Sequence, residues 1–194
     1  MPGGFFWRAA RPLRQSRAIL DSMLIIGLRS IRPSRQESVT DMEDLYRMPG
    51  HLVRRVQQIS SALFAEECGA FDITSVQFAA LFAIRANPDV DATRLSHLIA
   101  FDRSTLGDVL ERVEAKGWIV RSSSPTDRRV KLLRLTPDGE RLLERVMPAV
   151  QRVQERLLAP LPAADRAAMV RMLAEIGQVH NEVTPAPLRV VAQR

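Results

Sequence analysis

Cysteine is nearly absent, because Cys68 is the only one among 194 residues. A single cysteine excludes an intramolecular disulfide framework and a cysteine-based zinc site, and it suits a reducing compartment. The three histidines, His51, His97 and His180, stand in separate segments with no second histidine at helical spacing beside any of them. We therefore expect no metal site.

Membrane-length apolar runs and catalytic motifs are also missing. No uninterrupted apolar run approaches the roughly 20 residues that cross a bilayer. The chain contains no glycine-rich phosphate loop, no Gly-x-Ser-x-Gly elbow and no His-Glu-x-x-His pair. The expectation is a cytoplasmic protein that is neither an enzyme nor a cofactor carrier.

Charge is unevenly distributed. Residues 1–40 hold seven arginines against Asp21 and Glu37, a net of +5, which leaves only about +1 of the total +6 for the rest. Residues 1–41 are predicted to be a basic, disordered extension, the alternative being that the protein begins at Met42. Residues 184–194 are predicted to be a loose C-terminal tail. Any binding surface on the main domain depends on local clustering of charge.

Helix caps and breakers divide the chain from Pro49 onward into six helices and two strands. Thr74 with Gln77 forms a capping box, Asp91, Asp102 and Thr136 are further N-caps, and proline or glycine ends most helical patterns. The predicted helices are 49–67, 75–85, 92–99, 103–116, 137–158 and one that starts at Pro162; the predicted strands are 118–122 and 130–135.

This order of elements is typical of a winged helix-turn-helix. A short helix pair followed directly by a basic two-stranded hairpin predicts a winged helix at about 72–136. The helices at about 49–68 and 137–183 carry more apolar surface than so small a module can cover, so we expect them to pack against a second copy. The predicted fold is mainly α with a small β-hairpin wing, in one domain over 42–183.

The helix at 103–116 is the predicted recognition helix. Arg103, Ser104 and Thr105 lie in its first turn, where side chains reach base edges or phosphates. Arg112 flanks the same exposed face.

Two residues on this helix are unusual. Gly107 costs roughly 1 kcal/mol relative to alanine inside a helix. Either the backbone approaches a sugar-phosphate chain closely there, or the glycine is a neutral feature of an exposed face. Asp108 repels phosphates, yet it can accept a hydrogen bond from a cytosine amino group, which makes it a candidate specificity contact.

The hairpin carries the densest basic charge. Five basic residues accompany one carboxylate, Asp127, giving a local +4; they are Arg121, Arg128, Arg129, Lys131 and Arg134. Asp127 is two residues from Arg129 and can orient its guanidinium. An arginine on a narrow β-ribbon fits the minor groove of DNA. The alternatives are a solvated charged face, or a winged helix that binds only proteins.

The same stretches resemble the MarR family of bacterial transcriptional regulators. The motifs are DRSTL and VLERVEAKGWIVR within 102–121, then SPTDRR and L-x-L-T-P-x-G within 124–139. The resemblance covers about 49–176. It implies a triangular homodimer with interlocked terminal helices and a winged helix at each lower corner.

The resemblance also implies roles for individual residues. Asp127 and Arg129 match the wing motif, and Arg103 to Thr105 match the start of the recognition helix. The pair Gly107-Asp108 departs from relatives that carry bulkier polar or basic residues, which leaves the base preference open.

Family members often respond to phenolic or aromatic-acid ligands, and MPGHLVRRVQQI (48–59) is similar to members that control degradation of aromatic compounds. His51, Arg55 and Gln58 lie at i, i+4 and i+7 and could hold a carboxylate beside apolar walls. Alternatively, they face a dimer interface or solvent. The implied function is a repressor that binds a pseudo-palindromic operator and is released by a small ligand.

One branch of the family senses hydroperoxides through a cysteine, so a redox switch is a further alternative. Cys68 follows Glu66 and Glu67 at the end of a predicted helix. The helix C-terminus and both carboxylates disfavour a thiolate, so we expect a raised thiol pKa and an unreactive cysteine.

Overall fold

The computed structural model describes residues 41–189; the predicted N-terminal extension, apart from residue 41, and the last five residues of the predicted tail lie outside the described residues. Within this range the helices are α1 Met42–Arg47, α2 Pro49–Cys68, α3 Ser75–Ala86, α4 Ala92–Leu98, α5 Arg103–Ala115, α6 Pro137–Leu158 and α7 Ala163–Val179. The strands are β1 Val90–Asp91, β2 Ile119–Ser123 and β3 Lys131–Leu135, and short 3₁₀ turns occupy Gly69–Phe71 and Asn181–Val183. The predicted mainly helical fold with a β wing is confirmed.

The predicted caps position these helices. Gln77 N donates to Thr74 Oγ1 at 3.2 Å and Thr74 N donates to Gln77 Oε1 at 3.0 Å, which completes the capping box of α3. Asp91 caps α4 through two backbone amides. Gly117 ends α5 with φ +72°, a left-handed conformation that favours glycine. The helix α6 continues through Pro148 without interruption.

The sheet contains one more strand than predicted. Its order is β1-β3-β2, all antiparallel, with Ile119 opposite Leu135 and Ser123 opposite Lys131 in the hairpin. The additional strand β1 places Val90 opposite Leu133. Two residues are too few for an alternating pattern, so no local signal indicated this strand.

The hairpin is joined tightly to the start of α6. Thr136 N donates to the Trp118 carbonyl at 3.0 Å, and the Thr136 hydroxyl donates to the Gly117 carbonyl at 2.6 Å. A Cβ at Gly139 would lie only 2.1 Å from the Trp118 carbonyl oxygen. This position therefore requires glycine, and the wing base and α6 are held together by backbone contacts.

The core lies between the C-terminal end of α2, the helices α3, α4, α5 and α6, and the sheet. Its largest fully buried side chains are Leu81, Ile84, Leu95, Leu106, Leu110, Ile119, Leu133 and Leu143. On α5, Leu106, Leu110 and Val113 are buried and Val109 is half-buried. Within residues 41–189 no single helix is long and apolar enough to cross a membrane, although α2 with its 3₁₀ turn and α3, bent by 70°, meet the length and composition test as a pair.

The apolar stripes of α2 and α7 are exposed in the single chain. Leu52 and Ile59 of α2 are both more than two-fifths exposed. The residues that α2 does bury are Phe64 and Cys68, near its C-terminus. The helix α7 buries no residue at all. A single chain leaves these apolar residues uncovered, and their packing against a second copy stays a prediction.

Ion pairs attach the C-terminal end of α2 to α6. Glu67 accepts hydrogen bonds from Arg152 Nε and Arg156 Nη1, both at 2.8 Å. Glu66 accepts a third, from Arg156 Nη2, at 3.1 Å. The hydrogen bonds from Arg152 and Arg156 lower the pKa of Glu67. The end of α2 is thus fixed while its first half projects outward.

Residues 184–189 are not the loose end that their composition predicted. Arg189 N donates to the His97 carbonyl at 3.0 Å, and Ala186 is buried. This part of the predicted tail therefore packs against α4.

Candidate nucleic-acid interface

The first turn of α5 is organised by Asp102. Its Oδ1 accepts hydrogen bonds from Ser104 N at 2.9 Å and Thr105 N at 3.1 Å. The same oxygen accepts from both hydroxyl groups. The Ser104 hydroxyl, followed by the Thr105 amide, lowers the pKa of Asp102, so this cap is ionised at neutral pH. The cap holds the predicted contact residues Ser104 and Thr105 in one arrangement at an exposed helix start.

Arg103 is fixed from the neighbouring helix. Its Nε donates to Thr93 Oγ1 of α4 at 2.8 Å. This anchor leaves the guanidinium exposed. The sequence does not predict this hydrogen bond, because no local pattern links Thr93 to an arginine ten residues further along the chain.

The remaining predicted residues of α5 lie on its exposed side. Asp108 and Arg112 are both exposed, away from the stripe that the helix buries. A Cβ at Gly107 would meet no atom within 4 Å. The fold itself therefore does not require a glycine at this position.

The wing tip is a hydrogen-bonded turn. Val130 N donates to the Asp127 carbonyl and Ser124 N donates to the Val130 carbonyl, each at 2.9 Å. Asp127 Oδ1 accepts from Arg129 N at 3.0 Å and from Arg129 Nε at 3.3 Å. The expected orientation of Arg129 by Asp127 is present. The Arg129 side chain remains 93% exposed, so its pairing does not remove it from solvent.

Pairing within the fold changes the predicted charge of the hairpin. Arg134 forms a two-pronged ion pair with Asp89, the residue before β1, and Arg121 Nε lies 2.8 Å from a Glu114 carboxylate oxygen. The side-chain hydrogen bonds from Arg134 lower the pKa of Asp89. The local charge of +4 was an overestimate, because counting along the hairpin omitted carboxylates from α5 and the loop before β1.

The tip retains a net charge of about +2. Arg128, Arg129 and Lys131 stand there against Asp127. Arg128 is exposed and makes no hydrogen bond or ion pair with residues 41–189, and Lys131 Nζ donates only to the Ser123 hydroxyl, at 2.8 Å.

A groove connects α5 to the wing. It has a volume of about 410 Å³, and the basic residues along it are Arg103, Arg121, Arg129 and Lys131. Gly107 forms part of its floor. Arg112 instead borders a second cavity of about 590 Å³, between α5 and the start of α3. A groove lined by guanidinium and ammonium groups beside an exposed helix start can accept a phosphate backbone.

Comparison with known proteins identifies the family. The MarR family model matches residues 73–131, which include α3 to α5, the first wing strand β2 and the wing tip. The multiple antibiotic resistance protein MarR of Salmonella typhimurium is 31% identical over 128 residues, covering 66% of this chain and 89% of that protein. The chain belongs to the MarR family. It is a DNA-binding transcriptional regulator, and its relatives are regulators rather than enzymes.

Solved MarR-family structures include both DNA-bound and ligand-regulated proteins. The repressor CouR, bound to a 23-mer DNA duplex, is 30% identical with a TM-score of 0.66, covering 72% of this chain and 99% of that one. BpsR of Bordetella bronchiseptica, whose DNA binding is regulated by 6-hydroxynicotinic acid, is 31% identical with a TM-score of 0.65, covering 68% and 94%.

The three predicted effector residues of this MarR-family chain lie on the projecting half of α2. His51 is half-buried beside Tyr46, with ring centroids 5.6 Å apart, and its Nε2 is buried with no hydrogen-bond partner among residues 41–189. Arg55 is exposed, whereas Gln58 Oε1 accepts from Arg54 Nη1 at 3.2 Å. None of the three lines the wing groove or the cavity beside Arg112.

Cysteine and metal chemistry find little support in the described residues. Cys68 is fully buried, and burial, followed by the charge of Glu67, raises the pKa of its thiol. The predicted direction is confirmed, although desolvation is the larger cause. Between residues 41 and 189 no group of three or more His, Cys, Asp or Glu side chains could hold a metal ion.

Proposed function

We propose that this MarR-family protein is a homodimeric repressor that binds a pseudo-palindromic operator and is released by a small aromatic acid. The observation that carries the proposal is the groove between α5 and the wing. It brings exposed basic side chains from two elements to one surface, beside a capped helix start.

Each part of this surface has its own role in DNA binding. Arg103, Ser104 and Thr105 enter the major groove with the first turn of α5, and Asp108 discriminates among bases there. Arg112 contacts a phosphate at the edge of the same groove.

The wing tip enters the adjacent minor groove. Arg128 and Arg129 supply the inserted cations, Asp127 holds Arg129 in its orientation, and Lys131 contacts a phosphate at the base of the tip. Because these contacts neutralise phosphates, affinity falls as salt rises.

Dimerisation covers the exposed apolar residues of α2 and α7. Met172 and Ile176 of α7 are each 57% exposed, and Leu52 and Ile59 of α2 are nearly half exposed. Contiguous apolar surface of this kind is typical of a protein interface. A homodimer presents two α5 helices, and adjacent half-sites on B-DNA require a separation of roughly 34–36 Å.

The effector binds where the projecting half of α2 meets the partner. The unpartnered Nε2 of His51 and the exposed guanidinium of Arg55 can bind a carboxylate, and Gln58 can hydrogen-bond a ring substituent. Binding there changes the separation of the two α5 helices and releases the operator.

The test of DNA binding is fluorescence anisotropy with labelled fragments of the protein's own genome. We expect one or a few fragments to bind at least about a thousandfold more tightly than random duplex, the usual scale of specificity. Arg129→Ala should weaken binding, and Arg171→Ala, an exposed arginine on α7, is the matched control. A dimer that binds protein partners but no duplex at low salt would establish the interaction-module alternative instead.

The test of the effector is a titration of the DNA complex with benzoate-type and pyridine carboxylates. We expect one of them to release the fragment and to stabilise the free protein, by about 2.7 kcal/mol at a hundredfold its Kd. Arg55→Ala should remove both effects, and Arg171→Ala should remove neither. Indifference to every acid tested would refute this part.

A further inference from the structure

The C-terminal segment, residues 181–189, lies directly on the helix-turn-helix. Arg189 N donates to the His97 carbonyl at 3.0 Å, and His97 Nδ1 is 3.2 Å from the Pro187 carbonyl oxygen. Ala186 is only 8% exposed although it lies outside the main core. The segment therefore packs against the end of α4, next to the turn that leads into α5.

Internal hydrogen bonds give this segment a defined conformation. Asn181 Oδ1 accepts from Leu188 N at 2.8 Å, and Asn181 Nδ2 donates to the Leu188 carbonyl at 3.1 Å. Glu182 and Arg189 form an ion pair at 2.8 Å. These bonds close residues 181–189 into a loop, so its side chains can form a fixed wall.

That wall borders a partly open cavity of about 660 Å³ between the loop, the C-terminal half of α7 and the turn after α4. Leu188 forms one side, Ala174 and Gly177 form another, and Ala100 of the turn forms a third. The small residues leave the space open, since a Cβ at Gly177 would meet no atom within 4 Å. The volume lies in the range of small-molecule sites, roughly 300–1,000 Å³.

The lining indicates an uncharged ligand. Among residues 41–189, none of those that line the cavity is ionisable; the polar ones are Gln178, Asn181 and Thr184. The Asn181 amide is already used by Leu188, and Thr184 Oγ1 accepts from Ala186 N at 3.0 Å. The Gln178 side chain makes no hydrogen bond within the described chain and remains available. Burying a charge here would have no compensating partner.

We propose that this cavity binds an uncharged, largely apolar small molecule whose single hydrogen-bonding group meets Gln178. The site is separate from the one proposed at His51 and Arg55, which requires a carboxylate. Because Ala100 belongs to the turn between α4 and α5, a bound molecule contacts the helix-turn-helix itself.

The cavity does not coincide with the apolar surface proposed for dimerisation. Ala174, Gly177 and Gln178 occupy one side of α7, whereas Met172, Ile176 and Val179 lie on the opposite side at 100° per residue. A second copy that covers Met172, Ile176 and Val179 therefore leaves the cavity free, whereas Val170, 47% exposed, lies on the cavity side of α7.

The test uses the full chain and the neutral fluorescent probe N-phenyl-1-naphthylamine. We expect saturable binding, with blue-shifted emission, to wild type and to Gly177→Ala. Gly177→Leu should bind about tenfold more weakly or worse, because its side chain occupies the space. The alanine variant is the matched control, since both substitutions remove the helical glycine and only leucine fills the cavity.

Thermal melts followed by circular dichroism establish that both variants are folded. Equal probe binding by wild type and Gly177→Leu would overturn the proposal and assign the probe to the exposed apolar stripe of α7. Equal loss in both variants would overturn it as well. The assay contains no DNA and no aromatic acid, so its result is independent of the test of the proposed function.

Discussion

Arginines at the tip and at the base of the wing should contribute very differently to DNA binding. Arg128 at the tip is exposed and unpaired within residues 41–189, whereas Arg134 on β3 is held by both oxygens of Asp89. Alanine at either position removes one formal charge. Only Arg128→Ala, however, removes a cation that can displace counterions from DNA, because the charge of Arg134 is already balanced.

The size of the difference follows from counterion release. Each phosphate contact contributes about 0.9 to the slope of log affinity against log salt. Between 50 and 200 mM salt, each phosphate contact contributes about 3.5-fold to the fall in affinity. A variant that lacks this contact on one wing should therefore lose about 3.5-fold less affinity than wild type over this range, and about 12-fold less as a dimer with both wings on the duplex. Arg134→Ala should leave the slope unchanged.

Fluorescence anisotropy with one labelled duplex across a series of salt concentrations measures both slopes. A melt of each variant without DNA shows whether it is folded, which matters for Arg134→Ala because Asp89 then loses its partner. Equal slope changes in the two variants would refute the reasoning that internal pairing decides which arginines meet DNA.

Four further predictions concern individual residues. Gly107→Ala should stabilise the protein by about 0.5–1 kcal/mol in thermal unfolding because its Cβ is unobstructed, and a simultaneous loss of DNA affinity would show that the backbone approaches DNA there. Gly139→Ala should destabilise strongly, because its Cβ would collide with the Trp118 carbonyl; an unchanged melting temperature would contradict this. Cys68 should react with iodoacetamide far more slowly than free cysteine at pH 8, because burial raises its thiol pKa, and Cys68→Ser should bind DNA normally. The pKa of Glu67 is lowered, so its stabilising contribution is complete above about pH 4.3 and is lost as the pH falls through the lower folded value. In pH-dependent melts, Glu67→Gln should therefore lose less stability than wild type on acidification.

The elements that could be predicted are those whose signals are local. The N-caps Thr74, Asp91 and Thr136 each lie within three residues of the amides they bind, so spacing in the chain translates directly into geometry. The stripe of α5 is similar, because helical periodicity alone brings Leu106 and Leu110 to one face.

The features that could not be predicted depend on contacts between distant residues. The strand β1 exists because Val90 meets Leu133, and the C-terminal segment is held because Pro187 and Arg189 meet His97. Neither partner carries a local signal.

For the candidate site, residue identity was easier to predict than effective charge. The orientation of Arg129 by Asp127 followed from a two-residue spacing. Arg134 and Asp89 are 45 residues apart in the chain, so spacing along the sequence could not predict that Asp89 balances the charge of Arg134. Whether the predicted side chains contact DNA or an effector remains a prediction that the variants above test.

Electrostatic attraction to DNA in this protein depends on arrangement rather than on total charge. Residues 1–40 hold seven of the 28 basic and two of the 22 acidic residues, and Arg194 is one more basic residue, so 20 of each sign remain in residues 41–189. Because residues 41–189 are neutral overall, they have no net charge to attract a polyanion. Their DNA-binding face can be positive only if acidic and basic side chains are distributed unevenly over the surface. Asp89 and Glu114 pair with cations at the base of the wing, while Arg128 and Arg129 remain exposed at its tip. The positive potential is therefore concentrated at the point that is narrow enough to enter a minor groove.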